Sequence, residues 1–399
     1  MKGLRKYIAP FAPDQSGASG VLCEMKGMIL ILDAGGCAGN ICGFDEPRWF
    51  GSRSQIFSAG LRDMDAILGR DDLLVEKVIK ASRRIRSEFI ALIGTPVPAV
   101  IATDYKALKR MLEKRTGLPV LTIDTNGTEL YDIGASKAWM ALAETFPEAN
   151  RDGLQSEGRE MAPYSKGLEE DSLSVGVLGL SPLELGTAAE SRPDGYFQDK
   201  ALECLRKKGM SEADCSALRI NCYGMGAGVE ECKHIDNNKY NIVASPSGWK
   251  AARYLKEKWG TPFVVWCPPD LIPEGGQLIS AWRQSRKGSG GSSSCDIDLA
   301  GCRKVLILHQ QVYADSLRQE LEKISDASFT VASWFSMDQS LMRDRDFRVR
   351  EEDEWQEKVR EGEYDLIVAD DLFRRALPDY RGKWWNLPHF AVSGKRGSL

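Results

Sequence analysis

Histidine is scarce in this 399-residue chain. His234, His309 and His389 are the only three, so a three-histidine metal site would have to recruit all of them from distant parts of the sequence. A Walker-type G-x-x-x-x-G-K-[ST] stretch is absent, and the one candidate glycine turn, GMGAG at 224–228, falls short of the full G-x-G-x-x-G spacing. Nucleotide binding by this chain is therefore not expected. Neither sign of charge dominates: 53 Lys and Arg against 57 Asp and Glu give a net charge of −4 and a pI near 5.7. That balance supplies no bulk basic field for nucleic acid or an anionic membrane surface. No apolar run approaches the roughly 20 residues that span a bilayer, and the longest, at 28–32, is strand-sized. The amino terminus, MKGLRKYIAPFAP, is basic but lacks a signal peptide's apolar stretch, so a cytoplasmic location is expected.

What is present is ordinary for a globular protein, with 43% hydrophobic and 28% charged residues. At about 150 residues per domain the length suggests two to three domains. The ten cysteines do not suggest a disulfide framework, because the cytosol keeps thiols reduced; they are core thiols, or some of them are metal ligands.

Short apolar runs ending in Gly, Pro, Asn or Asp alternate with helical patterns, which predicts a doubly wound α/β protein. In the first unit, GMILILD at 27–33 reads as a buried parallel strand, followed by a helix at 75–86 and a strand at 89–94. The amphipathic helix YKALKRMLEKR and the strand LPVLTID come next. A polar stretch at 147–171 reads as a connection. SVGVLGL opens a second unit with strands LRINCY, NIVASPS and TPFVVW and helices at 198–208 and 249–259. KGSGGSSS at 287–294 reads as a linker, and KVLILH opens a third unit that continues through a helix at 312–324 to YDLIVAD. The expected divisions are 1–170, 171–294 and 295–399, with the C-terminal tail returning toward the cleft.

The most informative local feature is DAGGCAGNIC at 33–42, two thiols and three glycines placed directly after a buried strand. In open α/β sheets ligands sit at the carboxyl ends of strands. A cysteine on a glycine turn there brings thiolate sulfur to a metal centre while backbone N–H groups donate to cluster sulfides. The same residues also read as small buried hydrophobes. Cys37 and Cys42, with Gly35 and Gly36, are the candidate site, and Cys23 is a candidate third ligand or a core residue. The other cysteines are scattered and receive no role. His309 ends a strand and His389 lies beside Trp384 and Trp385; packing roles are expected for them.

The stretch SGASGVLCEMKGMILILDAGGCAGN resembles the amino-terminal cluster region of nitrogenase component 1 proteins, where a glycine-rich turn supplies a thiolate. SVGVLGLSPLEL, KYNIVASPSGWKAARYLKEKWGTPF and YDLIVADDLFRRALPDYRGKWWNLPHF agree with that family in order. The resemblance implies three Rossmann-like domains, an oligomer with a sister subunit or with itself, and electrons delivered by a separate ATP-dependent, nitrogenase-reductase-like iron–sulfur protein. It implies an oxygen-sensitive iron–sulfur cluster of [4Fe–4S] type, held by Cys37 and shared with a partner subunit. The family's earlier cysteine falls in FAPDQ at 11–15, where there is none and Asp14 reads as a substitute ligand or, in preference, as an exposed acid in a turn. Its later one falls at Pro96, and Ser245 stands where catalytic nitrogenase subunits anchor their molybdenum–iron cofactor through cysteine. The implied activity is an oxidoreductase subunit that is not a dinitrogen-reducing one, with its substrate unidentified. The alternatives are a scaffold for cofactor assembly and a metal-free binding or regulatory subunit.

Overall fold

The computed structural model describes residues 5–147, 173–185, 195–286, 299 and 301–391. Three runs of apolar strands each build a purely parallel sheet. In the first, β1 (Met28–Ile31), β2 (Gln55–Ser58), β3 (Ile90–Ile93) and β4 (Val120–Ile123) lie in the order β2-β1-β3-β4. The second holds β5 (Leu173–Leu178), β6 (Leu218–Cys222), β7 (Tyr240–Val243) and β8 (Phe263–Val265) in the order β6-β5-β7-β8. The third orders β9 (Lys304–Leu308), β10 (Ser328–Ser333), β11 (Phe347–Arg348), β12 (Leu366–Ala369) and β13 (Lys383–Asn386) as β11-β10-β9-β12-β13. The expected three-unit α/β architecture is the one observed. The divisions at 170/171 and 294/295, the KGSGGSSS segment and nearly all of the 147–171 connection lie outside the described residues.

β1, β3 and β12 read as unbroken apolar runs, as strands of a parallel sheet buried on both faces do. All four positions of β1, β3 and β12 are buried. The helices Asp14–Leu22 and Tyr131–Thr145 pack against one another through glycine. A Cβ added at Gly17 would collide with the backbone of Tyr131, and one at Gly134 with the backbone of Asp14. The chain's first described residues sit on the third sheet rather than the first: Ile8, Phe11 and Ala12 pack with Leu306, Trp334 and Phe373. Glu352 fixes this segment by accepting the backbone N–H groups of Lys6, Tyr7 and Ile8 at 2.7–3.0 Å.

In each sheet the strand order reverses once, between β1 and β3, between β5 and β7, and between β9 and β12. In open parallel sheets the carboxyl end of such a reversal is where ligands lie.

Candidate functional site

Beyond β1, Asp33 is buried and organises the turn that follows. Its carboxylate accepts the N–H of Ala38 at 2.8 Å and the hydroxyl of Ser58 at 2.6 Å. Gly35 has φ +122°, a conformation that a side chain would strain, and it leads into the five-residue helix Gly36–Asn40. That helix runs into a single π turn, Ile41–Asp45. Cys37 lies on the short helix and Cys42 on the π turn, both half-buried. At Gly35, Gly36, Gly39 and Gly43 an added Cβ would meet nothing within 4 Å, so the backbone here is open to whatever approaches.

The charges near this turn come from Asp33, Asp14 and Glu46, and the stretches that carry the turn and follow β3 add none. Residues 34–44, after β1, and 94–103, around and after the end of β3, contain no charged side chain. Phe44 is 50% exposed, Phe50 92% and Val100 85%. This is the strand reversal of the first sheet.

None of the three candidate thiols is predisposed to ionise. Burial pushes the Cys37 thiol up, and the negative charges of Asp33 and then Asp14 add to the effect. Burial, Glu46 and Asp33 push Cys42 up to about 11. Cys23 is fully buried, donates to the hydroxyl of Ser52 at 3.1 Å and is raised much further by burial. A thiolate at Cys37 thus requires a compensating cation, which a bound metal centre supplies.

Among the described residues no three His, Cys, Asp or Glu side chains come together around room for a metal ion. Cys37 and Cys42 share Asp33 as a neighbour, whereas Cys23 belongs to the core beneath them. The residues present fit one edge of a cluster, with Cys37 as its thiolate and glycine backbone alongside. They do not close a ligand set on their own.

Asp14 corrects the sequence expectation, since it is wholly buried rather than an exposed acid in a turn. Its carboxylate accepts backbone N–H groups from Asn126 at 2.9 Å, Gly127 at 2.8 Å and Gln15 at 3.0 Å, which is what makes its burial tolerable. Pro96 opens the short helix Pro96–Val100 and packs against Gly127.

A second polar cluster lies where the sheets' carboxyl ends converge, and no single stretch of sequence announced it. Tyr131 follows β4, Glu184 follows β5, Ser245 follows β7, His309 follows β9 and His389 follows β13. All five are 3% exposed or less. The Tyr131 hydroxyl donates to Glu184 Oε2 at 2.9 Å and lies 3.1 Å from His389 Nε2. His389 stacks on His309 with centroids 4.1 Å apart, and His309 Nε2 donates to the carbonyl of Pro388 at 3.2 Å. Burial pushes the Glu184 carboxyl up to about 8, although the Tyr131 hydroxyl pulls it back.

Residues 14–269 match the nitrogenase component 1 type oxidoreductases. The chain belongs to this family. Two solved structures, "Nitrogenase Cp1 at pH 5" and "Nitrogenase Cp1 at pH 6.5", are similar to it. The first is 14% identical with a TM-score of 0.60, covering 99% of this chain and 88% of that one. The second is 13% identical with a TM-score of 0.59, covering 98% and 86%. At these identities the likeness speaks for the fold. No curated protein sequence matches.

Within this nitrogenase component 1 fold, the junction does not fit a thiolate-anchored cofactor. The Ser245 hydroxyl donates to the carbonyl of Gly179 at 2.6 Å, and Tyr131, Glu184 and His389 fill the space beside it. The amides of the GMGAG turn are bonded locally, those of Gly224, Met225 and Ala227 to carbonyls of Ala227 and Cys222 and that of Gly228 to the Glu231 carboxylate, while the carbonyl of Gly224 accepts from the buried Arg48. No helix among the described residues is long and apolar enough to cross a membrane.

Proposed function

We propose that this chain is the electron-accepting subunit of a nitrogenase-like oxidoreductase, holding one side of an iron–sulfur cluster at Cys37 and receiving electrons from an ATP-dependent reductase. The observation that carries this reading is the open turn at the first sheet's strand reversal. A half-buried thiol stands there on a glycine backbone, in a chain of the nitrogenase component 1 family. Bound there, a cluster of [4Fe–4S] type supplies single-electron transfer.

The chain's own residues have separable tasks in this reading. Cys37 provides the thiolate and Cys42 is the next donor available. Gly35 and Gly36 let their N–H groups approach cluster sulfides without side-chain obstruction. Cys23 stays a core thiol. Phe44, Phe50 and Val100 form the apolar surface on which a sister subunit, or a second copy of this chain, closes the ligand set and excludes water. The substrate is reduced elsewhere in the assembly or in a cleft that the partner completes. Anaerobic co-purification with the sister subunit tests the reading: iron and acid-labile sulfide should be present, and Cys37→Ala should lose them.

The lack of a closed ligand set among the described residues favours one further reading, a metal-free binding or regulatory subunit. A colourless, iron-free complex that still assembles with its partner would establish it. Release of a cluster to an acceptor protein would instead mark the chain as an assembly scaffold.

A further inference from the structure

We propose that Gln15 is this chain's second contact to the cluster at Cys37, with its carboxamide N–H donating to cluster sulfur and holding the reduction potential up. The proposal rests on the cluster reading above and adds to it a residue that reading does not use.

Gln15 lies on the first turn of the helix Asp14–Leu22 and is 6% exposed. Its backbone is fully engaged: the N–H donates to the Asp14 carboxylate at 3.0 Å, and the carbonyl accepts the Ser19 hydroxyl at 2.8 Å. The side chain is not. Oε1 is buried without a donor, and neither end of the carboxamide bonds to a described residue. Folded chains keep few buried amides in this condition, because leaving one unpaired costs stability that an apolar side chain of the same length would not. An amide retained in such a place points to a group that binds there.

The loops that follow β1, β3 and β4 converge on this one helical turn. From beyond β1, Asp45 at the end of the π turn accepts the Ser16 hydroxyl at 2.7 Å and the Asn40 side-chain amide at 2.6 Å. That ties the helix start to the segment carrying Cys37 and Cys42. From beyond β4, Asn126 and Gly127 donate to the Asp14 carboxylate. From beyond β3, Pro96 packs on Gly127, and a Cβ added at Gly127 would lie 3.5 Å from Gln15 Oε1. Asp14, next to Gln15 in the chain, is in turn a charged neighbour of Cys37. The unpaired amide therefore stands at the same strand reversal as the open glycine turn.

The chemistry suits a sulfur-rich anion. The acids beside Cys37 are occupied as acceptors, Asp14 by three backbone N–H groups and Asp33 by Ala38 and Ser58. A carboxamide donates without adding charge, and with neither end tied it can turn to present Nε2–H. Hydrogen bonds to cluster sulfur favour the more negative, reduced state and so raise the potential.

Gln15→Met keeps the length of the side chain and removes the donor. In the metal-free full chain its unfolding midpoint should equal or exceed that of the native protein, because no bond within the chain is lost. A lower midpoint would show that the amide is bonded inside the protein and would overturn the proposal. In the anaerobic complex with the sister subunit, Gln15→Met should retain iron and shift the reduction potential downward, read by redox titration followed with electron paramagnetic resonance. An iron-replete variant at the native potential overturns the proposal and leaves the cluster at Cys37 standing, whereas an iron-free native complex overturns both. If Gln15→Met does not fold, electron–nuclear double resonance of the reduced native complex decides, with the glutamine side chains of this chain labelled with ¹⁵N. A side-chain ¹⁵N coupling to the cluster supports the contact, and its absence overturns it.

Discussion

The guanidinium of Arg48 donates to the carbonyl oxygen of Gly224 at 2.7 Å, joining the segment beyond the Cys37 turn to the second sheet's glycine turn. The rest of the group is equally committed, with Nε and Nη2 on Glu46 at 2.8 and 2.9 Å and Nη2 also on the carbonyl of Gly20 at 2.7 Å. Gly224 adopts φ +69° and packs against the backbone of Val21, so a side chain there would be excluded twice over. The Gly224 carbonyl thus serves as an acceptor for a buried cation of the same chain, while the amides of Gly224, Met225 and Ala227 bond within the turn.

Removing Arg48 should therefore cost far more than removing a surface charge. Arg48→Met leaves Glu46 buried without its partner, a loss of about 3–5 kcal/mol. Chemical denaturation should show a lower midpoint, and the double variant Arg48→Met, Glu46→Gln should recover much of the loss. A midpoint unchanged in Arg48→Met would show that the pair contributes no net stability.

The glycine crossing of two helices gives a prediction whose sign opposes helix propensity. Alanine in place of a mid-helix glycine ordinarily stabilises by up to about 1 kcal/mol. At Gly134 the added methyl would meet the Asp14 backbone, and at Gly17 that of Tyr131, so either substitution should lower the thermal midpoint or yield insoluble protein. A raised midpoint in Gly134→Ala would contradict the packing described.

Thiol labelling should separate the cysteines by environment. Among the described cysteines Cys37 and Cys42 are half-buried, whereas Cys23, Cys204, Cys215, Cys222, Cys232, Cys267 and Cys302 are buried, so of these only the first two should react in the native state with a small alkylating reagent. Their raised values mean slow reaction near neutral pH and acceleration well into the alkaline range. Asp33→Asn removes a negative neighbour of Cys37, lowers its thiol toward the ordinary value and should speed its alkylation at fixed pH. Mass spectrometry of the labelled peptides would detect no such change if Asp33 had no influence.

Phe50 offers a test of the docking face alone. At 92% exposure it contributes little to the folding of this chain, so Phe50→Ala should leave the unfolding midpoint unchanged. Full burial of such a ring against a partner is worth about 1.5–3 kcal/mol, or on the order of a 10- to 100-fold change in affinity. Sedimentation or calorimetry with the sister subunit, or self-association if the chain pairs with itself, should show that weakening. Unchanged affinity would place the partner on another face.

The fold was legible where a central strand is a short apolar run, as in MILI of β1, IALI of β3 and VLIL after the exposed Lys304 of β9. The helix Trp249–Trp259 matches its amphipathic pattern from end to end. The edge strands β4, β6 and β8 were legible in LPVLTID, LRINCY and TPFVVW, but β2, β11, β13 and the interior strand β10, SFTVAS, were not. β2 reads QIFS with exposed ends, β11 is two residues long, and β13 is KWWN, whose tryptophans suggest a pocket as readily as a strand. Trp384 and Trp385 are in fact buried, and Trp385 Nε1 donates to the carbonyl of Glu274 at 3.0 Å.

The two sites differ in legibility for the same reason. Cys37 and its glycines are contiguous, so spacing alone singles them out. The junction draws single residues from five separated strand ends, and each of them looks ordinary in its own segment. Asp14 was misread because the amides that hold it come from 126 and 127, far along the chain, and no local pattern signals them. Only the rule that ligands gather beyond parallel strands links Ser245 and His309, each of which directly follows a strand.

The most direct test of the account is iron and acid-labile sulfide content, with electron paramagnetic resonance of the reduced sample, after strictly anaerobic co-purification with the sister subunit. Iron and sulfide at cluster stoichiometry in the native complex, lost in a folded Cys37→Ala variant that still assembles, is the predicted result. A native complex free of iron, or a Cys37→Ala complex that retains its full complement, would contradict the assignment of a cluster ligand to Cys37.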